Sequence, residues 1–234
     1  MDRFFDDEIM PYFVLASAAF VMAIFEWARA LFKYPPQPIP VTGLFVLAVL
    51  VLIRRMQRSK MMFRQMRLGA EGELAVGQFL EEKLRPVGCQ VFHDILDKDF
   101  NVDHFVVGPT GLFCIETKTL SKPERGECRI QYDGESIVAN GFKPDRDPVA
   151  QAKAEAKWMS DLIEKSTGRR FFVQPVVLYP GWYVDRSCRN PAIWVLNEKA
   201  LPKFIMNART PPLAQEDIAL ITMHIKLYVN SKSK

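Results

Sequence analysis

The chain has 234 residues, 49% of them hydrophobic and 25% charged, with a formal net charge of +4. That charge is local, because residues 1–67 hold nine Lys/Arg against five Asp/Glu while the remainder holds 22 of each. The balanced remainder excludes bulk positive charge as an argument for a polyanionic partner. Four cysteines without a CxxC pair, and three histidines that do not interleave with them, argue against a structural zinc module and for reduced thiols.

The first elements are two uncharged apolar runs, IMPYFVLASAAFVMAIF (9–25) and IPVTGLFVLAVLVLI (39–53). Each is somewhat shorter than the roughly 20 residues a bilayer core asks of a helix. The segment EWARALF extends the first run, since Glu26 and Arg29 are three apart on a helix and can pair. Trp27, Lys33, Tyr34 and Met56 suit interfacial ends. Both runs are apolar on every face, which favours a transmembrane hairpin over two buried helices of a soluble core. The expected first domain is therefore 1–60, with helices at about 9–32 and 39–56 joined by the stiff KYPPQP loop. The acidic start MDRFFDDE does not read as a secretory signal. The stretch RRMQRSKMMFRQMR carries six basic residues and no acid, so it stays on the cytoplasmic side and suits anionic lipid. A multi-pass protein of the inner, cytoplasmic membrane follows, with both termini and the second domain, 61–234, in the cytoplasm.

That second domain alternates helices and strands. LGAEGELAVGQFLEEKL (68–84) has helical periodicity and ends before Pro86 and Gly88. QVFHDI, DHFVVG and GLFCIETKT read as strands, the last two joined at Pro109-Thr110. A hairpin is expected around Asp133-Gly134. A helix is expected over 147–168, capped by Asp147 with Pro148 in its first turn and Gly168 past its end. FFVQPVVLY and AIWVLN read as strands, ALPKFIMN as a short helix and QEDIALITMHIKLYV as the last helix. The fold class is α/β, with a soluble part large enough for its own core.

Charges inside the strands need a reason. In a hairpin turning at Pro109-Thr110, Asp103 falls opposite Glu116, and alternation puts Asp103, Glu116 and Lys118 on one face. Val102, His104, Val106, Phe113 and Ile115 take the other, apolar face. Opposed carboxylates repel unless one is protonated, the lysine pairs with them, or a divalent cation is held. Mg²⁺ favours such oxygen ligands, and a lysine beside it can orient water or steady phosphate charge. A surface salt-bridge cluster on an edge hairpin gives the same pattern. His104 falls on the face away from these charges and reads as a packed or hydrogen-bonded histidine. Trp158, Trp182 and Trp194 read as core residues.

Two further residues point inward. Glu73 lies within about 60° of Val76, Gly77, Leu80 and Leu84 on a helical wheel, in the apolar stripe. A buried carboxylate needs a partner, although a first-turn glutamate can also lean out to favour the helix dipole. Gln151 flanks the stripe of Ala152, Ala156, Met159, Leu162 and Ile163, and a glutamine there can equally bond to backbone.

Taken in order, GAEGE (69–73), NVDH (101–104), GLFCIETKT (111–119) and DPVAQA (147–152) resemble the nuclease-related domain, NERD, of the PD-(D/E)xK nuclease superfamily, over roughly residues 65–200. The resemblance implies a restriction-endonuclease-like mixed central sheet flanked by helices. It implies Asp103 and Glu116 as metal ligands, Lys118 as the catalytic lysine, and Glu73 as the helical acid of the metal shell. Gln151 is the matching glutamine of the following helix. It further implies Mg²⁺, or Mn²⁺, as cofactor and DNA as substrate, with RNA left open. The expected function is a membrane-anchored, metal-dependent nuclease that hydrolyses DNA phosphodiesters from the cytoplasmic side. The alternative is a catalytically inactive, membrane-tethered nucleic-acid-binding or scaffold protein.

Overall fold

The computed structural model describes residues 10–32, 38–97, 101–123, 127–144, 146–188 and 192–232. The expected acidic start and all but the last residue of the KYPPQP loop lie outside them. The chain divides into two units, Met1–Arg67 and Leu68–Lys234.

In the first unit, α1 (Met10–Leu31) packs antiparallel to the start of α2 (Pro38–Leu84). Trp27 Nε1 donates to Thr42 Oγ1 (3.2 Å), the Phe20 and Phe45 rings lie 5.4 Å apart, and the Arg55 guanidinium sits 4.8 Å from the Tyr12 ring centre. Ala16, Ala19 and Ala23 form the buried seam of α1, the small-residue packing that lets helices approach closely. The Glu26–Arg29 pair forms at 2.9 Å. Phe13, Leu15, Phe25 and Leu47 point outward and are more than half exposed. Both helices are long and apolar enough to cross a membrane.

α2 does not end near residue 56 and restart at 68, as the sequence led us to expect. It runs unbroken to Leu84. The Arg, Met, Gln and Lys of 54–67 are good helix formers, and between them and Glu73 only Gly69 and Gly72 oppose the helix, at about 1 kcal/mol each. Glu73 is therefore far from any helix N-terminus, and the dipole explanation for its position lapses.

The second unit is built on a five-stranded mixed sheet with order β1-β2-β3-β6-β8. The strands β1 (Gln90–Leu96), β2 (Asn101–Gly108) and β3 (Gly111–Thr117) run antiparallel to their neighbours. Then β6 (Val173–Leu178) and β8 (Trp194–Leu196) continue in parallel. A smaller sheet, β5-β4-β7, comprises β4 (Arg129–Tyr132), β5 (Ile137–Ala139) and β7 (Tyr183–Arg186). β7 was not expected from the sequence, being short and half charged.

Helices cover both faces of the large sheet. The last turns of α2 (Val76, Leu80, Leu84) and α4 (Leu201–Met206) pack on Val106, Phe113, Ile115 and Val176. On the other face α3 (Pro148–Thr167) and α5 (Gln215–Lys232) pack through Ala156, Met159, Ile163, Ile218, Ile221 and Ile225 on Phe105, Val107, Leu112 and Cys114. β3, buried at every residue, is the centre of this sandwich, which explains its unbroken GLFCI run. α3 has the expected cap, with Asp147 Oδ1 accepting from Val149 N (2.9 Å) and Ala150 N (3.2 Å), and it stops at left-handed Gly168. Trp182 is buried, and the Trp194 ring lies 5.5 Å from both Phe113 and Phe204.

One face assignment changes. Val102 was expected beside Val106, but it packs with Ile95 in the α3–α5 core. Asp94, at φ 50°, breaks the alternation of β1, so Val91 and Ile95 face opposite cores and Val102, paired with Ile95, follows.

Gly72 sets the approach of α2 to the end of β3. A Cβ there would collide with Thr119 Oγ1 and lie 2.9 Å from its Cβ, whereas a Cβ at Gly69 meets nothing within 4 Å. Gly69→Ala should therefore raise the stability of the full chain by about 0.5–1 kcal/mol. Gly72→Ala should lower it by about 1–3 kcal/mol through overpacking. Thermal melts of both variants in detergent check the contrast.

Candidate active site

The site lies where β2 and β3 part. Their ladder runs from Gly108↔Gly111 to His104↔Ile115 and goes no further. At the next position Asp103 Oδ2 accepts from Thr117 N (2.8 Å), so a side chain stands where a strand carbonyl would otherwise serve. This places Asp103, 6% exposed, against the end of β3, as the register argument required.

Glu116, 3% exposed, points to the α3 side of the sheet. Lys118 Nζ forms a close ion pair with Glu116 Oε1 and donates to Gln151 Oε1 (2.9 Å). Gln151 Nε2 in turn donates to Glu116 Oε1 (2.9 Å) and to Glu155 Oε1 (2.8 Å). Strand and helix are thereby joined through one amide. The Lys118 backbone N also donates to Leu178 O (2.8 Å), which anchors the lysine to β6 while its side chain stays 28% exposed. The four residues Asp103, Glu116, Lys118 and Gln151 thus come together.

Glu73 is half-buried beside them. It feels the charges of Glu116 and Lys118 but makes no hydrogen bond to either. His104 lies on the opposite face, as expected, with its Nδ1 2.9 Å from His93 Nδ1; His93 Nε2 is 3.2 Å from Glu81 Oε1.

Sequence reasoning missed Glu155. It is 1% exposed and stands one turn after Gln151. The signal was available: Glu155 lies in the same stripe as Ala152, Ala156 and Met159, so the wheel that flagged Glu73 also places this acid inside.

Burial dominates the electrostatics. It pushes Asp103 and Glu155 well above the ordinary carboxylate range, and the nearby Glu116 charge adds to both shifts. Glu73 rises for the same two reasons, with Asp94 adding and Lys118 opposing. Burial, then His93, depresses His104 to about 3. Four carboxyls thus surround one ammonium.

The donor set suits a hard cation. It consists of oxygens, and the buried Oε2 atoms of Glu116 and Glu155 have no hydrogen-bond partner. Among the described residues, however, no three His, Cys, Asp or Glu side chains stand close enough to share one ion, and the positive charge against Glu116 is the Lys118 ammonium.

The raised carboxyls give stability a pH dependence. In the unfolded chain they ionise near 4, whereas the fold holds their protons to higher pH. The folded state binds more protons over that window, so stability is complete below pH ~4 and falls as pH rises through neutrality. The melting temperature of the full chain should therefore decline from pH 5 to 8. Glu155→Gln should raise it at pH 8 and flatten the slope, and equal slopes would show that Glu155 ionises freely.

The description NERD, nuclease-related domain, matches residues 68–180. No curated protein and no solved structure matches the chain. The matched span runs from the last turns of α2 through β6 and contains Glu73, Asp103, Glu116, Lys118, Gln151 and Glu155. Residues 68–180 thus match the family model of the nuclease-related domain, NERD.

Proposed function

We propose that the protein is a membrane-anchored nuclease that hydrolyses DNA phosphodiesters with a divalent metal ion. The observation that carries this reading is the meeting of Asp103, Glu116, Lys118 and Gln151 at the open end of β3, with the lysine the most exposed member of its ion pair. A mixed sheet flanked by helices agrees with a restriction-endonuclease-like architecture.

Asp103 and Glu116, with the Thr117 carbonyl, would hold Mg²⁺ or Mn²⁺, which would supply Lewis-acid polarisation of the phosphate, while Glu73 adds negative charge from beside them. Lys118 holds the attacking water and steadies the charge that grows on the phosphate oxygen. Water oxygen bonds to phosphorus, the bond to the leaving oxygen breaks, and the water proton passes to the leaving group or solvent. Gln151 keeps Glu116 and Lys118 in register, and Glu155 holds the amide of Gln151. The apolar outer surfaces of α1 and early α2, followed by the basic stretch 54–67, support anchoring in the cytoplasmic membrane with both termini inside.

A second reading, tethered nucleic-acid binding without turnover, draws on the existing Glu116–Lys118 ion pair and the absence of a three-ligand cluster among the described residues. A gel shift in Ca²⁺ without cleavage under any divalent ion favours it.

The full chain in detergent should nick supercoiled plasmid with Mg²⁺ and stop with EDTA. Lys118→Ala should slow nicking by at least about 100-fold, and equal rates for the two proteins would end the nuclease assignment. Mg²⁺ should also raise the melting temperature of the wild type more than that of Asp103→Asn, since an ion bound only by the folded state stabilises it.

A further inference from the structure

α3 has two working flanks. One carries Gln151 and Glu155 into the site. The other carries Lys153 and Lys157, one turn or about 6 Å apart along the axis. These two lysines line an open groove of about 500 Å³ between α3 and β6. Arg170 and Phe172 line it too, over a floor that includes Val173 and Pro175, and among the described residues no acidic side chain borders it. Among the described residues neither lysine has an acidic partner. Arg170 has only a loose one, its Nε 3.7 Å from Glu164 Oε2, and its side chain is 69% exposed. Phe171 packs into the core, but its neighbour Phe172 is 56% exposed.

The floor says what the groove does not take. Among the described residues β8 pairs only with Val176–Leu178, and none pairs with the Val173–Pro175 half of β6 on that edge. Pro175 has no N–H, and Gln174 Nε2 donates to Pro175 O (3.1 Å) and Ala192 O (3.0 Å). An edge blunted in this way does not accept an added peptide strand. What remains on offer is unpaired positive charge and one aromatic face, the two features a single nucleic-acid strand needs.

We propose that this groove is the track of an unpaired strand of the substrate, with Lys153, Lys157 and Arg170 on its phosphates and Phe172 stacked on a base. The inference rests on the nuclease reading and sharpens it: the preferred substrate has a single-stranded segment beside the cleavage point. Lys153 is only about 3 Å along the helix axis from Gln151 but on the opposite flank of α3, so the track passes the site across the helix.

Fluorescence anisotropy of the full chain in detergent, in EDTA, with a 20-nucleotide oligo-dT and a 20-base-pair duplex, tests it. The wild type should bind oligo-dT more tightly than the duplex. Lys153→Glu with Lys157→Glu should weaken oligo-dT binding by at least about 100-fold. The milder Lys153→Gln with Lys157→Gln should lower the slope of log affinity against log salt by about 1.4. Phe172→Ala should weaken oligo-dT binding by about 5- to 100-fold and duplex binding by less than about 2-fold. Lys199→Glu, a basic residue outside the groove, should change neither. Affinities that the groove variants leave at the wild-type value, or an equal loss in Lys199→Glu, overturn the track. Plasmid nicking measured in parallel separates the two claims. Nicking with groove-independent binding overturns the track alone, and groove-dependent binding without nicking overturns the nuclease reading alone.

Discussion

The Glu116 carboxylate is buried at the end of the central strand, and the surrounding structure is arranged around that fact. A charge so placed is tolerated only with close partners. Lys118 supplies the opposite charge from two residues along the chain, one past the end of β3. Gln151 supplies a neutral donor from α3, and its own carbonyl returns to the lysine. Remove the amide and both the acid and the ammonium lose a bond. The position of α3 thus matters to the site as much as the strand does, and the cap at Asp147 and the stop at Gly168 set where that helix begins and ends.

The site sits where regular pairing fails. As long as β2 and β3 exchange backbone hydrogen bonds, their side chains are committed to two packed cores. Past His104 and Ile115 the ladder ends, and the Asp103 side chain takes over a backbone donor. The sheet thereby opens at one end without leaving the Thr117 N–H unpaired. Gly72 helps from the other face, since only a glycine lets α2 lie so close to Thr119 and bring Glu73 beside Glu116.

Most strands and the α3 caps were legible because each rests on local chemistry: a glycine or proline turn, an Asp-Pro start, a Gly stop. The Asp103–Glu116 apposition was legible because turn position fixes hairpin register. Less legible were features that depend on partners. The unbroken α2 was hidden because its middle reads equally as a basic linker. Val102 changed cores through one left-handed residue, Asp94, that no periodicity reveals. Glu155 was overlooked although its stripe position was plain, because an acid in a charged helix reads as surface. The family match stops at residue 180, yet β8, α4 and α5 complete the sheet and both cores. The matched portion is narrower than the portion that folds.

The paired imidazoles of His93 and His104 have a definite proton arrangement. With their Nδ1 atoms 2.9 Å apart, one must donate and the other accept. Glu81 decides which. Its carboxylate can only accept, so His93 carries its hydrogen on Nε2 and presents a bare Nδ1 to the hydrogen of His104. The reverse tautomers would leave a buried His104 Nε2–H with nothing to bind and would aim a lone pair at Glu81. The chain of bonds therefore points outward from the sheet to Glu81, and His104 keeps its one hydrogen engaged. It has none free to lend to the neighbouring Asp103.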